Sequence, residues 1–405
     1  KVFWTLRSRF RIGNESDSDD HLLEDSSQQK KHFGMGIIHI ILGKANPEKM
    51  NGVNKVVYNL ATKQAEKSGD VEVWGIAENT DINYPERNFK TKVFQKNKNP
   101  FSVPKNLKKE LLNADRNTVF HFHGGWIPVF YSLSQFLKKH QRRFVMTPHG
   151  AYNTIAMNKN KWVKKFYFRF FEKKLIRNAA KIHCIGESET EGLQSIFPTS
   201  KTVLITYGYD RTATDFPNKN ITENIIFGFI GRLDIFTKGL DILADSFSEF
   251  SKEVPDAKLW IIGDSNEKHQ FEQKIKDLHL EKKVELLGSK FGEEKNSLLN
   301  QMDVFVHPSR NEGLPVSVLE AADFGKPCII TKNTNIGFFI DQYNAGITIP
   351  HPDRQLLLMA IREMHTIWKD KPKYQTISQN ALEMVEKAFN WDRVISEMNS
   401  RLYNL

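Results

Sequence analysis

Short apolar, β-branched runs bounded by glycine or proline recur along this chain from residue 37 onward. Ile37–Leu42, Val71–Ile76, Thr118–Phe122, Phe144–Thr147, Lys181–Ile185 and Thr202–Ile205 read as buried strands, with a helix over Val53–Ser68 after the first. Asp210–Thr222 is polar, contains Pro217 and reads as a linker. A second series follows. Ile225–Ile230, Lys258–Ile262, Val284–Leu287, Val304–Val306 and Cys328–Thr331 read as strands, and Leu240–Lys252, Glu267–Leu278 and Val316–Phe324 as helices between them. Apolar runs without polar alternation, separated by helices, predict parallel sheets covered on both faces. The fold class is therefore α/β: two Rossmann-like, doubly wound domains facing across a cleft, with ligands at the carboxyl ends of the strands. The expected boundaries are 35–215 and 216–385, with a C-terminal segment at 386–405.

Residues 1–34 differ from the rest. The run from Asn14 to Asp20 is acidic and polar, Ser26–Lys31 follows, and neither carries periodicity. This leader reads as non-native or disordered, with Met35 as the native start and a native regulatory tail as the alternative. It is too polar for a signal peptide.

A chain of 405 residues is long enough for two domains, and 40% apolar content is enough to build their cores. No stretch approaches the ~20 apolar residues of a membrane-spanning helix. Cys184 and Cys328 lie in separate apolar strands, which predicts buried free thiols in a reducing compartment. The net charge of +10 is compatible with nucleic acid, an anionic membrane or phosphorylated small molecules, and decides nothing alone.

The candidate chemistry lies in the second half. Glu312 sits in the loop after the strand Val304–Val306, and Glu320 stands eight residues on, about one turn into the next helix. Two carboxylates flank a helix start whose free N–H groups favour an anion, a pairing suited to sugar hydroxyls beside phosphate. Arg232 and Lys238 lie in the loop after Ile225–Ile230, where a guanidinium fork and an ammonium point charge suit a diphosphate without a metal.

With Gly231-Arg232…Lys238-Gly239, the strand end Ile261–Asp264, Leu287–Ser289 and Glu312…Glu320, the chain resembles the retaining glycosyltransferases of GT-B architecture in family 4 (glycosyl transferases group 1). The resemblance runs from about Ile37 to the C-terminus and is closest in the second half. It implies a first domain that binds the acceptor, a second that binds the nucleotide sugar, and a last helix crossing back to the first. Carried over by position, Arg232 and Lys238 match the cations that hold the donor diphosphate. Glu312 matches the glutamate beside the donor sugar, and Glu320 the one that holds the ribose. Backbone N–H groups from Gly313 through Leu314 to Val316 are expected at the sugar and phosphate, Pro315 offering shape only. Gly263, Asp264, Ser289 and Lys290 are expected near base and ribose. Asn51-Gly52 stands where relatives carry Gly-Gly in the loop nearest the acceptor, and His149 resembles the histidine that reaches the donor sugar through its carbonyl or its ring. His123 is a second acceptor-side candidate. Ser188 is expected either to line the cleft or to cap a helix.

His121 and His123 alternate on one strand without a visible acidic or cysteine ligand, so no metal is expected. The resemblance implies a nucleotide sugar as substrate, UDP-linked before GDP-linked, no cofactor, and a saccharide or lipid-linked saccharide acceptor. Surface polysaccharide or glycolipid synthesis is the implied setting, in the cytoplasm. The basic, aromatic stretch 159–177 reads either as an interfacial helix on anionic lipid or as a helix with buried aromatics and solvated lysines. The rival readings are a nucleotide-sugar epimerase or sugar phosphorylase on the same scaffold, and more remotely a basic nucleic-acid-binding module. A phosphorylase needs a pyridoxal-phosphate lysine signature, which is not evident. Nucleic acid is not an expected partner.

Overall fold

The unalternating apolar runs become the inner strands of two parallel sheets. The computed structural model describes residues 35–46, 52–68, 70–82, 84, 86–153, 157, 161–211 and 224–405. The leader, Asn51 and most of the expected linker lie outside these residues.

The first sheet holds β1 (Ile37–Leu42), β2 (Val71–Ala77), β3 (Lys90–Gln95), β4 (Val119–His123), β5 (Phe144–Thr147), β6 (Ile182–Cys184) and β7 (Thr202–Leu204), in the order β3-β2-β1-β4-β5-β6-β7. Its helices are α1 (Gly52–Ser68), α2 (Lys105–Asn113), α3 (Pro128–Lys139), α4 (Lys161–Tyr167), α5 (Lys173–Asn178) and α6 (Glu187–Ile196), with a π-helical turn over Phe168–Glu172 joining α4 to α5. The second sheet holds β8 (Ile226–Ile230), β9 (Lys258–Ile262), β10 (Val284–Gly288), β11 (Val304–His307), β12 (Cys328–Thr331) and β13 (Gly346–Ile349), in the order β10-β9-β8-β11-β12-β13. Its helices are α7 (Ile235–Lys238), α8 (Leu240–Glu253), α9 (Lys268–Asp277), α10 (Gly292–Gln301), α11 (Val316–Asp323), α12 (Gly337–Tyr343), α13 (Arg354–Lys369) and α14 (Lys371–Ala388), and α15 (Trp391–Glu397) follows in the C-terminal segment.

Each sheet reverses its winding beside its first strand, between β1 and β4 and between β8 and β11. Loops leaving those adjacent strands diverge, and the crevice between them is where such sheets receive ligands. Phe227, Phe229, Leu243 and Phe247 fill one face of the second sheet, and Phe305, Leu319, Ala322 and Ile330 the other.

The C-terminal segment crosses to the first sheet. Trp391, Val394, Met398, Leu402 and Tyr403 are buried in one cluster with Ile37, Ile41, Val57 and Leu60. Burying a large apolar side chain contributes ~1.5–3 kcal/mol, so five of them fasten this segment to the first domain. The expected edge at residue 385 falls inside α14, which continues to Ala388. Both cysteines are free and buried.

Candidate active site

The loop after β8 is shaped by its own side chains. Asp234 caps α7 by accepting the Thr237 N–H at 3.0 Å, and Glu267 accepts the Ile235 N–H at 2.8 Å. The short helix ends at Gly239 with φ 69°, where a Cβ would lie 2.1 Å from the Pro308 carbonyl oxygen. Only glycine lets the loops after β8 and β11 touch there. That contact brings Lys238 to Glu312, and Lys238 Nζ donates to Glu312 Oε1.

Glu312 Oε1 also accepts from His307 Nε2 at 2.9 Å and from Ser309 Oγ at 3.2 Å. Burial pushes the Glu312 carboxyl up, but the His307 bond and the Lys238 charge outweigh it and hold the group at about 2. Burial lowers His307 below its ordinary value, so its Nε2–H donates as a neutral ring, which stacks on Phe229 at 5.3 Å. Its Nδ1 is buried without a partner. Arg310 pins the same loop from outside, forking onto Asp241 with two bonds of 2.8 Å.

Glu320 lies one turn into α11, as the sequence predicts, and pairs with Lys295 at 2.7 Å. Glu312, Gly313, Leu314, Val316 and Glu320 share a cavity of about 510 Å³ with His149 from the first domain. Tyr207 and α1 residues Val53, Lys55 and Asn59 close its other side. The expected donor loop and first-domain histidine therefore face one space.

Arg232 is exposed on the same loop as Lys238 and bonds Asp234 at 3.1 Å. Gly263 adopts φ 147° and donates to the Gly288 carbonyl at 2.8 Å; a Cβ there would meet the Gly231 oxygen at 1.8 Å. Asp264 turns to its neighbour, accepting the Ser265 N–H at 2.7 Å. Ser289 is exposed after β10, and Lys290 bonds Glu294. These four stand at the ends of β9 and β10, outside the lining of the cavity that holds Glu312. Asn51 lies outside the described residues, and Gly52 opens α1.

The histidines need correction. His123 is 1% exposed, with Nε2 on His39 at 2.8 Å and Nδ1 on His149 at 2.9 Å, so it lies under the cleft floor rather than in an acceptor pocket. His149 adopts φ 57°, and its ring nitrogens are taken by His123 and by the Tyr207 hydroxyl at 3.1 Å. Of the two routes expected for it, the ring nitrogens are occupied and the backbone remains. The companion that β1 brings beside His121 and His123 is a third histidine, His39, which the sequence reading did not consider. Each nitrogen of these three rings is engaged by a protein partner.

Ser188 neither lines that cavity nor caps its helix with its side chain. Its N–H donates to Asn335 Oδ1 at 3.0 Å, while Asn335 Nδ2 donates to the Glu312 and Gly313 carbonyls at 2.8 Å each. Asn335, His307 and Arg310 were not foreseen. His307 stands two residues outside the dipeptide Ser309-Arg310 that precedes Asn311-Glu312, and its place at a strand end was the one available signal. In the 159–177 stretch Tyr167, Phe168 and Phe171 pack against the first-domain core and its aromatics, while Trp162, Val163, Phe166 and Phe170 are exposed, so the packed-aromatic reading holds for part of the stretch.

The family described as Glycosyltransferase Family 4 matches residues 50–212, and the one described as Glycosyl transferases group 1 matches residues 210–384. Mannosylfructose-phosphate synthase of Agrobacterium fabrum is 30% identical over 213 residues, 48% of this chain and 46% of the relative. The putative colanic acid biosynthesis glycosyltransferase WcaL of Salmonella typhimurium is 25% identical over 174 residues, 42% of each. The matches thus span less than half the length of these curated relatives. HepE of Anabaena, solved in complex with UDP, superposes with a TM-score of 0.69 at 16% identity, over 92% of this chain and 100% of that one. Two consecutive family matches, one on each sheet, together with the GT-B architecture, establish that this chain belongs to the group 1 glycosyltransferases.

Proposed function

We propose that the protein is a retaining, metal-independent glycosyltransferase that moves a sugar from a nucleotide diphosphate to a hydroxyl acceptor. The observation that carries this reading is the Lys238–Glu312–His307 cluster at the switch point, beside the start of α11, whose Glu312 lines the shared cavity. Lys238 and the exposed Arg232 offset charge developing on the departing diphosphate, which is electrostatic stabilisation of the transition state. Glu312 orients the donor sugar, and Glu320 receives the ribose.

Among the described residues, the carboxylates that line the cavity, Asp210, Glu312 and Glu320, are each paired with a lysine (Lys63, Lys238 and Lys295). A paired carboxylate is a poor nucleophile, which favours attack from the face the diphosphate leaves. The acceptor oxygen bonds the anomeric carbon, the bond to the diphosphate breaks with its electron pair on the phosphate oxygen, and that oxygen takes the acceptor proton. The second domain then binds the donor and the first the acceptor. WcaL is named for colanic acid biosynthesis, which supports a setting in surface polysaccharide or glycolipid synthesis. Because HepE was solved with UDP, UDP-sugars are the first donors to test.

The test is transfer from a panel of UDP- and GDP-sugars with and without a chelator, the product's anomeric configuration being read by NMR. Retention with chelator present, and a loss of ~10²–10³-fold in Lys238→Ala, support the reading. Inversion, chelator sensitivity or full activity of the variant overturns the corresponding part. An epimerised donor formed without acceptor favours the epimerase.

The acceptor side meets an anionic membrane in this reading. Trp162, Val163, Phe166 and Phe170 are exposed at 79, 71, 64 and 44%, with Lys164, Lys165 and Arg169 between them. Such a mixture inserts apolar rings among headgroups while the cations meet anionic lipid. No helix among the described residues is long and apolar enough to cross a membrane, so the expected association is peripheral, on the cytoplasmic face. Flotation with phosphatidylglycerol vesicles that fails with phosphatidylcholine, and is lost in Trp162→Ala/Phe166→Ala, is the expected result. Equal behaviour on both vesicles removes it.

A further inference from the structure

Five histidines converge beneath the cleft floor of the first sheet: His39 on β1, His121 and His123 on β4, His183 on β6, and His149 just after β5. All ten of their ring nitrogens have partners. Starting at the cavity wall, Tyr207 Oη meets His149 Nδ1 at 3.1 Å, and His149 Nε2 meets His123 Nδ1 at 2.9 Å. His123 Nε2 meets His39 Nδ1 at 2.8 Å, and His39 Nε2 meets Gln64 Oε1 at 2.6 Å. Gln64 Nε2 meets Tyr403 Oη at 3.0 Å, and Tyr403 Oη meets His121 Nδ1 at 2.9 Å. His121 Nε2 meets Thr147 Oγ1 at 2.6 Å, Thr147 Oγ1 meets His183 Nδ1 at 2.8 Å, and His183 Nε2 ends on the Ile205 carbonyl at 2.7 Å. The Tyr207 hydroxyl also neighbours Thr147, so the two ends approach one another.

The last bond sets the direction of all the others. A carbonyl only accepts, so His183 carries its proton on Nε2 and presents a bare Nδ1. Burial lowers all five imidazoles below their ordinary value, and each ring is neutral with one proton. Thr147 must then donate to His183, which leaves its oxygen to accept from His121 Nε2–H. His121 Nδ1 is bare and takes the Tyr403 proton. The Tyr403 oxygen accepts from the Gln64 amide, whose carbonyl accepts from His39 Nε2–H. The same step repeats through His123 to His149, whose Nε2–H donates to His123 and whose bare Nδ1 faces the Tyr207 hydroxyl, the one proton of which is shared between His149 and Thr147. All five rings are Nε2–H tautomers, and the orientation of the Gln64 amide follows without being assumed.

From this chain we infer that Tyr403, in the C-terminal crossing segment, is a positioning residue that sets the proton register of His149 at the cleft. Its hydroxyl is the junction between the half anchored on Ile205 and the half that ends at His149. With Phe at 403 the ring still packs, but the direction fixed at Ile205 is no longer transmitted. The inference rests on the transfer reading only for its kinetic consequence.

The experiment labels the histidine ring nitrogens isotopically and reads each tautomer from their chemical shifts. The intact chain is expected to show all five rings as Nε2–H. In Tyr403→Phe, His149 is expected to gain a population protonated on Nδ1. Thr147→Val cuts the chain between His121 and His183 and is expected to do the same, which covers the case in which the first variant does not fold. A His149 that stays wholly Nε2–H in a folded variant overturns the inference, as does an Nδ1–H ring among the five in the intact chain. In transfer assays Tyr403→Phe is expected to lower kcat roughly tenfold at unchanged donor KM, as slight misplacement in a cleft does. A changed tautomer with unchanged kcat removes the positioning role. If the intact chain transfers no sugar at all, the proposed function fails while the tautomer result stands.

Discussion

Asn335, in the loop before α12, caps the helix of the other domain: its Oδ1 accepts the Ser188 N–H of α6 at 3.0 Å. The same side chain holds the Glu312 and Gly313 carbonyls through Nδ2, at 2.8 Å each. One amide thus links the Glu312 loop to a first-domain helix start that lacks a capping side chain of its own.

Asn335→Ala is therefore expected to loosen the cleft and the donor loop together. A net hydrogen bond contributes ~0.5–1.5 kcal/mol, and three are lost. Asn335 also sits at φ 61°, where alanine costs roughly 1 kcal/mol more than asparagine or glycine. Comparing Asn335→Ala with Asn335→Gly by urea denaturation separates the two effects. Alanine should be the less stable by about that 1 kcal/mol, and both should raise the donor KM. An unchanged KM in both variants shows that the bridge does not shape the donor site.

The inner strands and the loop that carries Glu312 were legible in the sequence, and the reason is local. β1, β5, β9 and β12 appear with the bounds read from their apolar runs, because an inner parallel strand is apolar on both faces. The edge strands β3 and β13 were missed. β3 places Lys90 and Lys92 among its residues, and β13 is half-exposed with a glycine at its start, so neither carries the inner-strand signature. Glu312, Lys238 and Glu320 were legible as a motif whose parts lie within one domain. His121 and Tyr403 are 282 positions apart, and their bond exists only because the crossing segment lies on that face of the sheet. Asn335 was illegible for the same reason, since its partner Ser188 is 147 positions away.

Glu312→Gln tests charge at nearly constant shape. Glutamine can still accept from His307 and Ser309, but it no longer neutralises Lys238. A loss of ~10²–10³-fold in kcat, the scale for removing one electrostatic contact at a reacting centre, is expected with little change in melting temperature. Steady-state transfer beside a melting curve checks both. A large fall in melting temperature would make the residue's part mainly structural.

Gly263→Ala is expected to damage the second domain more than an ordinary surface change. Its Cβ would stand 1.8 Å from the Gly231 oxygen, and φ 147° is strained for any side chain. Backbone strain of this type costs ~1–3 kcal/mol before the clash is relieved. Gly288→Ala shares a positive φ of 70° but meets nothing within 4 Å. The first variant should therefore lower the denaturation midpoint clearly more than the second. Equal midpoints would mean that the β8 and β9 loop ends can move apart freely.

Stability should fall steeply on mild acidification. His39 and His183 are lowered to about 4 and His149 to about 3, all by burial, and His121 and His123 lie well below 6.5. Unfolding returns them to about 6.5, so the unfolded chain binds more protons between 4 and 6.5. Their contribution is present above 6.5 and is lost as pH falls. Two buried carboxyls act oppositely. Burial raises Glu172 and Glu189 to about 7, so their contribution is present below 4.5 and is lost as pH rises through 7. Between pH 4.5 and 6.5 the five rings outnumber the two carboxyls, leaving a net uptake of about three protons on unfolding, a slope of ~4 kcal/mol per pH unit. His307, also lowered by burial, adds in the same direction. Urea midpoints measured from pH 7.5 down to 5 should drop accordingly, whereas a flat profile would mean that these rings are not held neutral in the folded protein.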